Sequence, residues 1–358
     1  MKKIYYITAV FATLFLVGCG DGIDLPGVNV ETDLNKIPLP DNNVNLEQVE
    51  LKPSTEPMLH EGLHTEEDFQ RIRDKKAAGE EPWVSAYQLL VESQFSQKTA
   101  DTYPTEWIKR GVSGDENYMN AARGATIAYQ QALRWKIEQD DEYAAKAVEN
   151  LNKWVQTCVG VTGNTNLSLA AGLYGYEFAI AGELLRDYGG WDRADFAAFQ
   201  NWLLKVFYPA NDDFLKRHHD TNALHYWANW CLCNIAAKMA IGIVTDRRDI
   251  YNEGIAHLQT GDTNGRLRRA IYHDYAPDYN FAQWQESGRD QGHTLMCVGL
   301  MGVICQLAWS QGDDFFAYDD NLFLRACEYA ACCNYTNETV PYTTYIWQKQ
   351  SQWGYPIP

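Results

Sequence analysis

The sequence is poor in positive charge. It has 30 Lys and Arg residues against 47 Asp and Glu residues, which gives a net charge of -17. A protein that binds nucleic acid through its phosphates needs a basic surface, so this composition excludes general nucleic-acid binding. It does not exclude an anionic ligand, because the local charge within a cleft decides binding there.

Metal-ligand spacing and strand alternation are also lacking. No cysteine is paired with a histidine at zinc-type spacing, so neither a metal nor another cofactor is predicted. The cysteines after residue 19 lie in apolar stretches and are predicted to be buried free thiols: Cys158, Cys231, Cys233, Cys297, Cys305, Cys327, Cys332 and Cys333. No segment shows the alternation that is typical of a half-buried strand.

The N-terminus, "MKKIYYITAVFATLFLVGC", has two lysines followed by a short apolar run. This run is too short for a typical membrane span and predicts a signal peptide over residues 1–18. Its end resembles the lipobox of bacterial lipoproteins, which implies lipidation of Cys19. We expect an exported lipoprotein on the outer membrane of a Gram-negative cell, facing the periplasm or the outside. The alternative is an ordinary signal peptide with an incidental cysteine.

Residues 19–57 are rich in Pro, Asn, Asp and Gly and predict a flexible linker, which leads to one catalytic domain over residues 58–358. Thr65 with the acidic residues after it predicts a helix start, Gly79 its end, and Pro82 the next start. Further helices are predicted near residues 116–139, 141–158, 167–187, 192–206, 221–243, 247–259, 284–311 and 317–334.

Consecutive helices on short loops favour antiparallel hairpins. The predicted fold is therefore all-α, an α/α toroid or incomplete α/α barrel with apolar inner helices. A superhelix of helical repeats is the competing architecture.

Two asparagine-rich segments precede apolar helices. Asn166 begins one of them and is either a sugar-binding residue or a helix cap. In "NALHYWAN" we expect Asn222, Tyr226 and Asn229 to share one face of the helix predicted over residues 221–243. His225 lies at the edge of that face and is a candidate for a functional role, together with Trp227.

A basic loop rich in tyrosine, "GRLRRAIYHDYAPDY", stands out in this acidic chain. Arginine binds carboxylates through two parallel hydrogen bonds, so the loop predicts an acidic sugar as ligand. The alternative is a solvated run of charge. The candidate residues are Arg266, Arg268, Arg269, Tyr272, His273, Tyr275 and Tyr279.

The segment "ESGRDQGH" places Glu286, Arg289, Asp290 and His293 on one face of the helix predicted over residues 284–311. These side chains could pair at i, i+3 and close the helix entrance. Next to the basic loop, they are better explained as the wall of an anion-binding cleft. Arg289 and His293 are then expected to touch sugar, with Glu286 beside them.

One chemistry uses this set of residues. Cleavage of a uronic acid polymer by β-elimination needs donors such as Asn, His or Arg around the carboxylate, because the proton on C5 is weakly acidic. A base removes that proton, and an acid protonates the departing O4. A tyrosine can do either if a neighbouring cation lowers its pKa.

"NALHYW", followed about fifty residues later by "RRAIYHDYA", resembles the alginate lyase family of polysaccharide lyases, and "ESGRDQGH" is similar to a motif of exported glucuronan- and alginate-degrading members. The resemblance implies an α/α toroid and a lyase acting on alginate, poly-mannuronate or glucuronan. Asn222 matches the residue that neutralises the carboxylate, and Tyr275 the proton-transfer residue. The family histidine falls at Leu224, one place before His225. Arg269 matches the family arginine if one residue is deleted.

The expected roles follow from this resemblance. Asn222, His225 and Arg269 hold the carboxylate, Tyr275 is the acid, and either Tyr275 or His225 is the base. Two alternatives stay open: an α/α-toroid glycoside hydrolase that uses Glu286 and Asp290, and a glycan-binding lipoprotein without catalysis.

Overall fold

The computed structural model describes residues 54–335 and 340–345. The predicted signal peptide, Cys19 and most of the predicted linker lie outside the described residues. The helices are α1 (Glu66–Ala77), α2 (Trp83–Glu92), α3 (Tyr118–Glu138), α4 (Asp141–Thr157), α5 (Leu167–Leu184), α6 (Arg193–Val206), α7 (Tyr208–Arg217), α8 (Ala228–Val244), α9 (Arg248–Thr260), α10 (Leu267–Ala270), α11 (Gln291–Ser310) and α12 (Tyr318–Tyr335). Short strands β1 (Trp107–Arg110) and β2 (Gly160–Gly163) pair in parallel, and β3 (Ile271–Asp274) and β4 (Ala282–Trp284) pair antiparallel.

The first helix begins and ends where local signals predict. The Thr65 side chain accepts from the Asp68 backbone N–H, while the Asp68 side chain accepts from Thr65, so the two form a capping box. Gly79 lies just beyond the helix with φ of +68°, a conformation that glycine adopts without a steric penalty. Pro82 then stands at the N-cap of α2, as expected.

Four helices form an inner ring, in which α3 packs against α5, α5 against α8, and α8 against α11. Every residue of α8 is buried, which fits its apolar sequence on all sides. Outer helices, among them α4, α7, α9 and α12, cover this ring. The predicted α/α toroid is confirmed.

The inner helices begin at the same end of the ring. Strands β1 and β2, which precede α3 and α5, pair side by side. The segment that leads into α11 contacts the start of α8 through Gln285 and Glu286. At the opposite end, residues 54–61 cross the ring: Gln311, after α11, bonds the backbone of Leu59 and Glu61.

Two predicted helices begin later than expected. α8 begins at Ala228, so Asn222 and Tyr226 precede it and do not share a helical face with Asn229. The reason is a contact distant in sequence, because the side chains of Gln285 and Glu286 accept from the N–H groups of Ala228 and Asn229.

The second late helix is α11, which begins at Gln291 because Asp290 caps it by accepting from the His293 N–H at 2.8 Å. Glu286 and Arg289 therefore lie before this helix, and they do not share a helical face with His293. Helices α7 and α10 and the four short strands were not predicted.

Helix α11 is long and apolar enough to cross a membrane, but most of it is buried against α8 and α12, as in the core helix of a globular fold. No disulfide joins two of the described cysteines. Five of them are buried, and Cys327, Cys332 and Cys333 are half-buried.

Candidate functional site

The predicted site residues gather at the end of the ring where the inner helices begin. The arginines of the basic loop lie at residue 266 and in the short helix α10. The tyrosines lie in β3 and in the turn after it, and the histidines lie in the segments before α8 and in α11. A further segment, residues 340–345, packs among them. Tyr345 connects these parts: its ring lies 4.9 Å from that of Tyr272 and 5.9 Å from that of Trp227.

Neighbouring arginines of the basic loop have opposite surroundings. Arg268 is buried and bonded to Asp319, with Asp274 at 3.8 Å. Asp274 also pairs with Arg325 at 3.0 Å, so this cluster of two arginines and two aspartates is neutral. Arg268 and Arg325 therefore fix β3 to α12.

Arg266 and Arg269 are half-buried, and within residues 54–335 and 340–345 neither makes an ion pair or a side-chain hydrogen bond. Nε of Arg266 and Nη1 of Arg269 are buried without a partner. Burial lowers the pKa of Arg269, and the adjacent charge of Arg266 lowers it further. The carboxylate of Asp262 acts in the opposite direction, but it makes no ion pair with either arginine. A guanidinium stays charged in a protein, so the two form a cationic site without a direct ion pair.

The phenols next to this site are protonated. Burial raises the pKa of Tyr272 and that of Tyr275 above the ordinary value of 10. The condition that a neighbouring cation lowers the pKa of the tyrosine is therefore not met in the free protein, because burial disfavours the phenolate. A neutral phenol is suited to donate a proton.

Tyr275 is held by Gln283 and by the segment 340–345. Its hydroxyl donates to Gln283 Oε1 at 2.6 Å and lies 3.1 Å from Thr343 Oγ1. Gln283 is fully buried and also bonds the backbone N–H and carbonyl of Thr343, both at 2.8 Å. The hydroxyl of Tyr272 donates to the Thr344 carbonyl at 3.3 Å.

Sequence reasoning missed the contribution of residues 340–345. The Tyr345 hydroxyl accepts from Gln285 Nε2 at 2.7 Å, and Gln285 Oε1 accepts from the first N–H of α8. Burial raises the pKa of Tyr345 to about 12. The richness in tyrosine and threonine of "PYTTY" was the available signal, but no local pattern places this segment beside Arg269.

Ahead of α8, the chain makes a tight turn. Asn222 Oδ1 accepts from the Leu224 N–H at 2.8 Å, and the Asn222 carbonyl accepts from the His225 N–H at 2.9 Å. The half-buried imidazole of His225 lies 4.9 Å from the ring of Tyr226. The turn keeps Asn222 and His225 at the end of the ring without a helix.

Tyr226 and Trp227 were expected to bind sugar, but both are buried. The ring of Tyr226 packs 4.6 Å from that of Trp230 and 5.1 Å from that of Phe214. Trp227 lies beneath Arg289, whose guanidinium carbon is 5.3 Å from the ring centre. Their aromatic faces serve the packing of the core, so the expected sugar contacts are not supported.

His219 joins the site from the turn after α7. Its Nε2 lies 3.0 Å from the Oγ of Ser168, in the first turn of α5, and its ring is 5.8 Å from that of Tyr226. Burial lowers the pKa of His219, so its imidazole is neutral at pH 7. The neighbourhood of His225 in the sequence contains this residue, but its partner Ser168 is distant along the chain.

Glu286 is 0% exposed, so the expectation that it lines a sugar-binding surface is wrong. Its Oε1 accepts from the backbone N–H of Asn229 at 2.9 Å and from the Asn229 amide at 2.6 Å. Arg289 donates to its other oxygen at 3.1 Å. The carboxylate thus caps α8 from a distant segment and holds Arg289 over Trp227.

The alternative explanation of "ESGRDQGH", in which its side chains pair at i, i+3, agrees with the structure. Besides the contact of Glu286 with Arg289, His293 Nδ1 lies 2.6 Å from Asp290 Oδ2. Both carboxylates are engaged in capping and pairing, which leaves neither placed as the general acid of a glycoside hydrolase.

Three further candidates differ in exposure. Asn166 is buried at the N-cap of α5, and its backbone and side-chain N–H groups donate to Asn164 Oδ1 at 2.9 and 3.0 Å. The ring of His273 lies 4.5 Å from that of Tyr275, and burial lowers the pKa of this histidine. Tyr279 is exposed, with its ring 6.5 Å from that of Tyr275. Tyr279 is thus open to a ligand, while Asn166 supports the turn before α5.

Within the described part of the chain, no group of three His, Cys, Asp or Glu residues could hold a metal ion.

The sequence matches the alginate lyase family over residues 72–338. None of the curated proteins matches it. The fold is similar to that of an alginate lyase from a Sphingomonas species, with a TM-score of 0.54, 13% identity and coverage of 77% of this chain and 79% of that one. A variant of that lyase complexed with a tetrasaccharide matches equally well, at 14% identity, a TM-score of 0.54 and the same coverage. An alginate lyase from Bacteroides ovatus has a TM-score of 0.54, 14% identity and coverage of 75% and 82%. At these identities, the likenesses show a shared fold.

Proposed function

Because the chain belongs to the alginate lyase family, a family of polysaccharide lyases, we propose that it cleaves alginate or a related uronate polymer by β-elimination. The observation that carries this proposal is the pair of Arg266 and Arg269. Two half-buried guanidinium groups that make no ion pair in the described chain are costly in a free protein. A bound carboxylate removes that cost, and every ring of a uronate polymer carries one.

The proposed reaction divides the work among five residues. Arg269, with Arg266 and Asn222, holds the carboxylate and stabilises the negative charge that develops when C5 loses its proton. His225 takes that proton, the C4–O4 bond breaks, and a double bond forms between C4 and C5. Tyr275 protonates the departing O4, a role that fits a phenol whose pKa burial raises.

Alginate is the first substrate to test, since the structural neighbours are alginate lyases. The purified chain is mixed with alginate, poly-mannuronate and glucuronan, and absorbance near 235 nm reports the unsaturated product. Rising absorbance supports the lyase. New reducing ends without absorbance would indicate a hydrolase, and retarded migration in a glycan gel without cleavage would indicate a binding protein.

Two tyrosine variants test the assignment of the acid. Tyr275→Phe removes the proposed acid, and we expect kcat to fall about 10²–10⁴-fold, as general acid catalysis is worth that much. Tyr272→Phe is the matched control, because Tyr272 is equally half-buried and also bonds the segment 340–345. Full activity in Tyr275→Phe together with a loss in Tyr272→Phe would move the role to Tyr272.

We further propose that the chain is an exported lipoprotein tethered at Cys19. The support is the N-terminal sequence alone, with its lysines, apolar run and lipobox-like end. Expression of the full chain in a Gram-negative host tests this, because lipidation shifts its mass and retains it in the membrane fraction. Cys19→Ala should abolish that shift in mass.

A further inference from the structure

Arg110 is a buried arginine that makes no ion pair in the described part of the chain. It ends β1 and is 4% exposed. Its guanidinium carbon lies 4.6 Å from the ring centre of Tyr118, and its Nη1 is buried without a hydrogen-bond partner. A contact with an aromatic face does not replace the hydrogen bonds that a guanidinium loses when it leaves water.

The carboxylates close to Arg110 in the chain are used elsewhere. Glu116 accepts from the backbone N–H of Gly111 at 2.6 Å, and Asp115 pairs with Lys109 at 2.6 Å. Neither makes an ion pair with Arg110. Its charge is therefore not balanced by the loop that surrounds it.

Two helix N-termini near Arg110 add to the positive potential. α3 begins within eight residues of Arg110, and α5 follows β2, the strand paired with β1. Their N-cap residues, Asn117 and Asn166, make no side-chain capping bond. Asn117 instead bonds the backbone of β1, donating to the Trp107 carbonyl and accepting from the Lys109 N–H. The other two inner helices differ, since carboxylates cap α8 and α11.

This region adjoins the proposed catalytic residues. The first turn of α5 holds Ser168, which contacts His219, and His219 packs against Tyr226 next to His225. A row of side chains thus leads from α5 toward His225 across the end of the ring.

We propose that Arg110, with the N-termini of α3 and α5, forms a second carboxylate subsite that binds another uronate ring of the polymer. This inference rests on the proposed function, because the ligand is the same chain that is cleaved beside Arg269. Arg110 binds and does not take part in proton transfer. Its contribution therefore appears only with substrates long enough to reach both places.

The test compares Arg110→Gln with Lys109→Gln, which removes a neighbouring cation that is already paired with Asp115. Initial rates are measured on polymer and on uronate oligomers of increasing length. For Arg110→Gln we expect KM for the polymer to rise about tenfold, as for the loss of one charge-assisted hydrogen bond. We expect kcat to stay unchanged, and KM for the shortest cleaved oligomers to stay unchanged as well. Lys109→Gln should match the wild type throughout.

An unchanged KM of Arg110→Gln for the polymer would overturn the inference, and so would an equal rise at every substrate length. If Arg110→Gln does not fold, Arg110→Lys decides the matter, because it keeps the charge and loses the forked donors. A raised KM for polymer alone supports the subsite, and an unchanged KM refutes it. A wild-type chain that cleaves no uronate polymer would defeat the proposed function. Polymer retardation in affinity gels, compared between the wild type and Arg110→Gln, would then still test the subsite.

Discussion

Arg268 and Arg269 are adjacent in the chain and differ in almost every physical respect. Arg268 lies in a buried cluster with Asp274, Asp319 and Arg325, in which each charge faces an opposite one. Arg269 is half-buried beside Arg266, and in the described chain neither has an anionic partner within ion-pair distance. Every charge in the Arg268 cluster is thus paired, whereas the charges of Arg266 and Arg269 are not.

Arg268, which has a structural role, thus lies within four residues of Arg266 and Arg269, which we propose to bind substrate. A neutral cluster binds segments of the protein to one another, and its guanidinium groups are already paired and do not attract an anionic ligand. An uncompensated pair costs stability in the free protein and regains it when an anion binds. A substitution of Arg268 should therefore lower the free energy of unfolding, whereas a substitution of Arg269 should lower kcat/KM.

The largest effect is expected from Arg268→Gln. It leaves Asp319 buried without its main partner, and we expect a loss of about 3–5 kcal/mol in the free energy of unfolding. Urea denaturation followed by circular dichroism measures this loss. A variant as stable as the wild type would show that the cluster does not fix β3 to α12.

Arg269→Gln should have the opposite pattern. We expect kcat/KM to fall about 10²-fold or more, the scale of a lost donor at a developing negative charge. The free energy of unfolding should stay the same or rise, because an unpaired charge is removed. A stability loss comparable to that of Arg268→Gln would contradict the contrast between the two arginines.

The pH dependence of the reaction tests whether the unpaired arginines act on the phenols. Burial raises the pKa of Tyr275 and that of Tyr272, so both phenols stay protonated through the neutral and mildly alkaline range. The proton-donating form is present below the raised pKa and is lost only above it. The alkaline limb of kcat/KM from these groups should therefore lie above about pH 10. A limb at pH 8–9 that disappears in Tyr275→Phe would show that a cation lowers the pKa of this phenol.

The smallest effect is expected at an exposed pair. Arg217 contacts Asp213 at 2.5 Å on the surface of α7. Arg217→Gln should leave the free energy of unfolding nearly unchanged, because solvent screens such pairs. Urea denaturation, run beside Arg268→Gln, checks it. A loss of several kcal/mol would mean that pairing alone, and not burial, sets the stability contrast.

Local signals in the sequence predicted much of the fold. The capping box at Thr65, the stop at Gly79 and the apolar inner helices follow from neighbouring residues, and they fix the helices and the toroid. The start of α8 does not follow from neighbouring residues, because Glu286 accepts from the Asn229 N–H and lies fifty-seven residues further along the chain. No helical period could have placed that carboxylate.

The site was predictable as a set of residue types but not as a geometry. The basic, tyrosine-rich loop marked the region. Its sequence, however, does not distinguish Arg268 from Arg269, since only the position of α12 decides which guanidinium meets Asp319. Likewise, the placement of Thr343 and Tyr345 beside Tyr275 and Tyr272 depends on the chain returning after α12.

The crossing of residues 54–61 over the ring has a consequence for how the enzyme meets its substrate. Arg248, at the start of α9, bonds the carbonyls of Glu56 and Pro57 at the end of the ring where the inner helices stop. The 17-residue α8 separates this end from the proposed site by about 25 Å. For a chain anchored at Cys19, as we propose, the first described residues lie at the end of the ring opposite the proposed site. The N-terminal attachment of the domain is thus separated from the place where we propose that polymer binds.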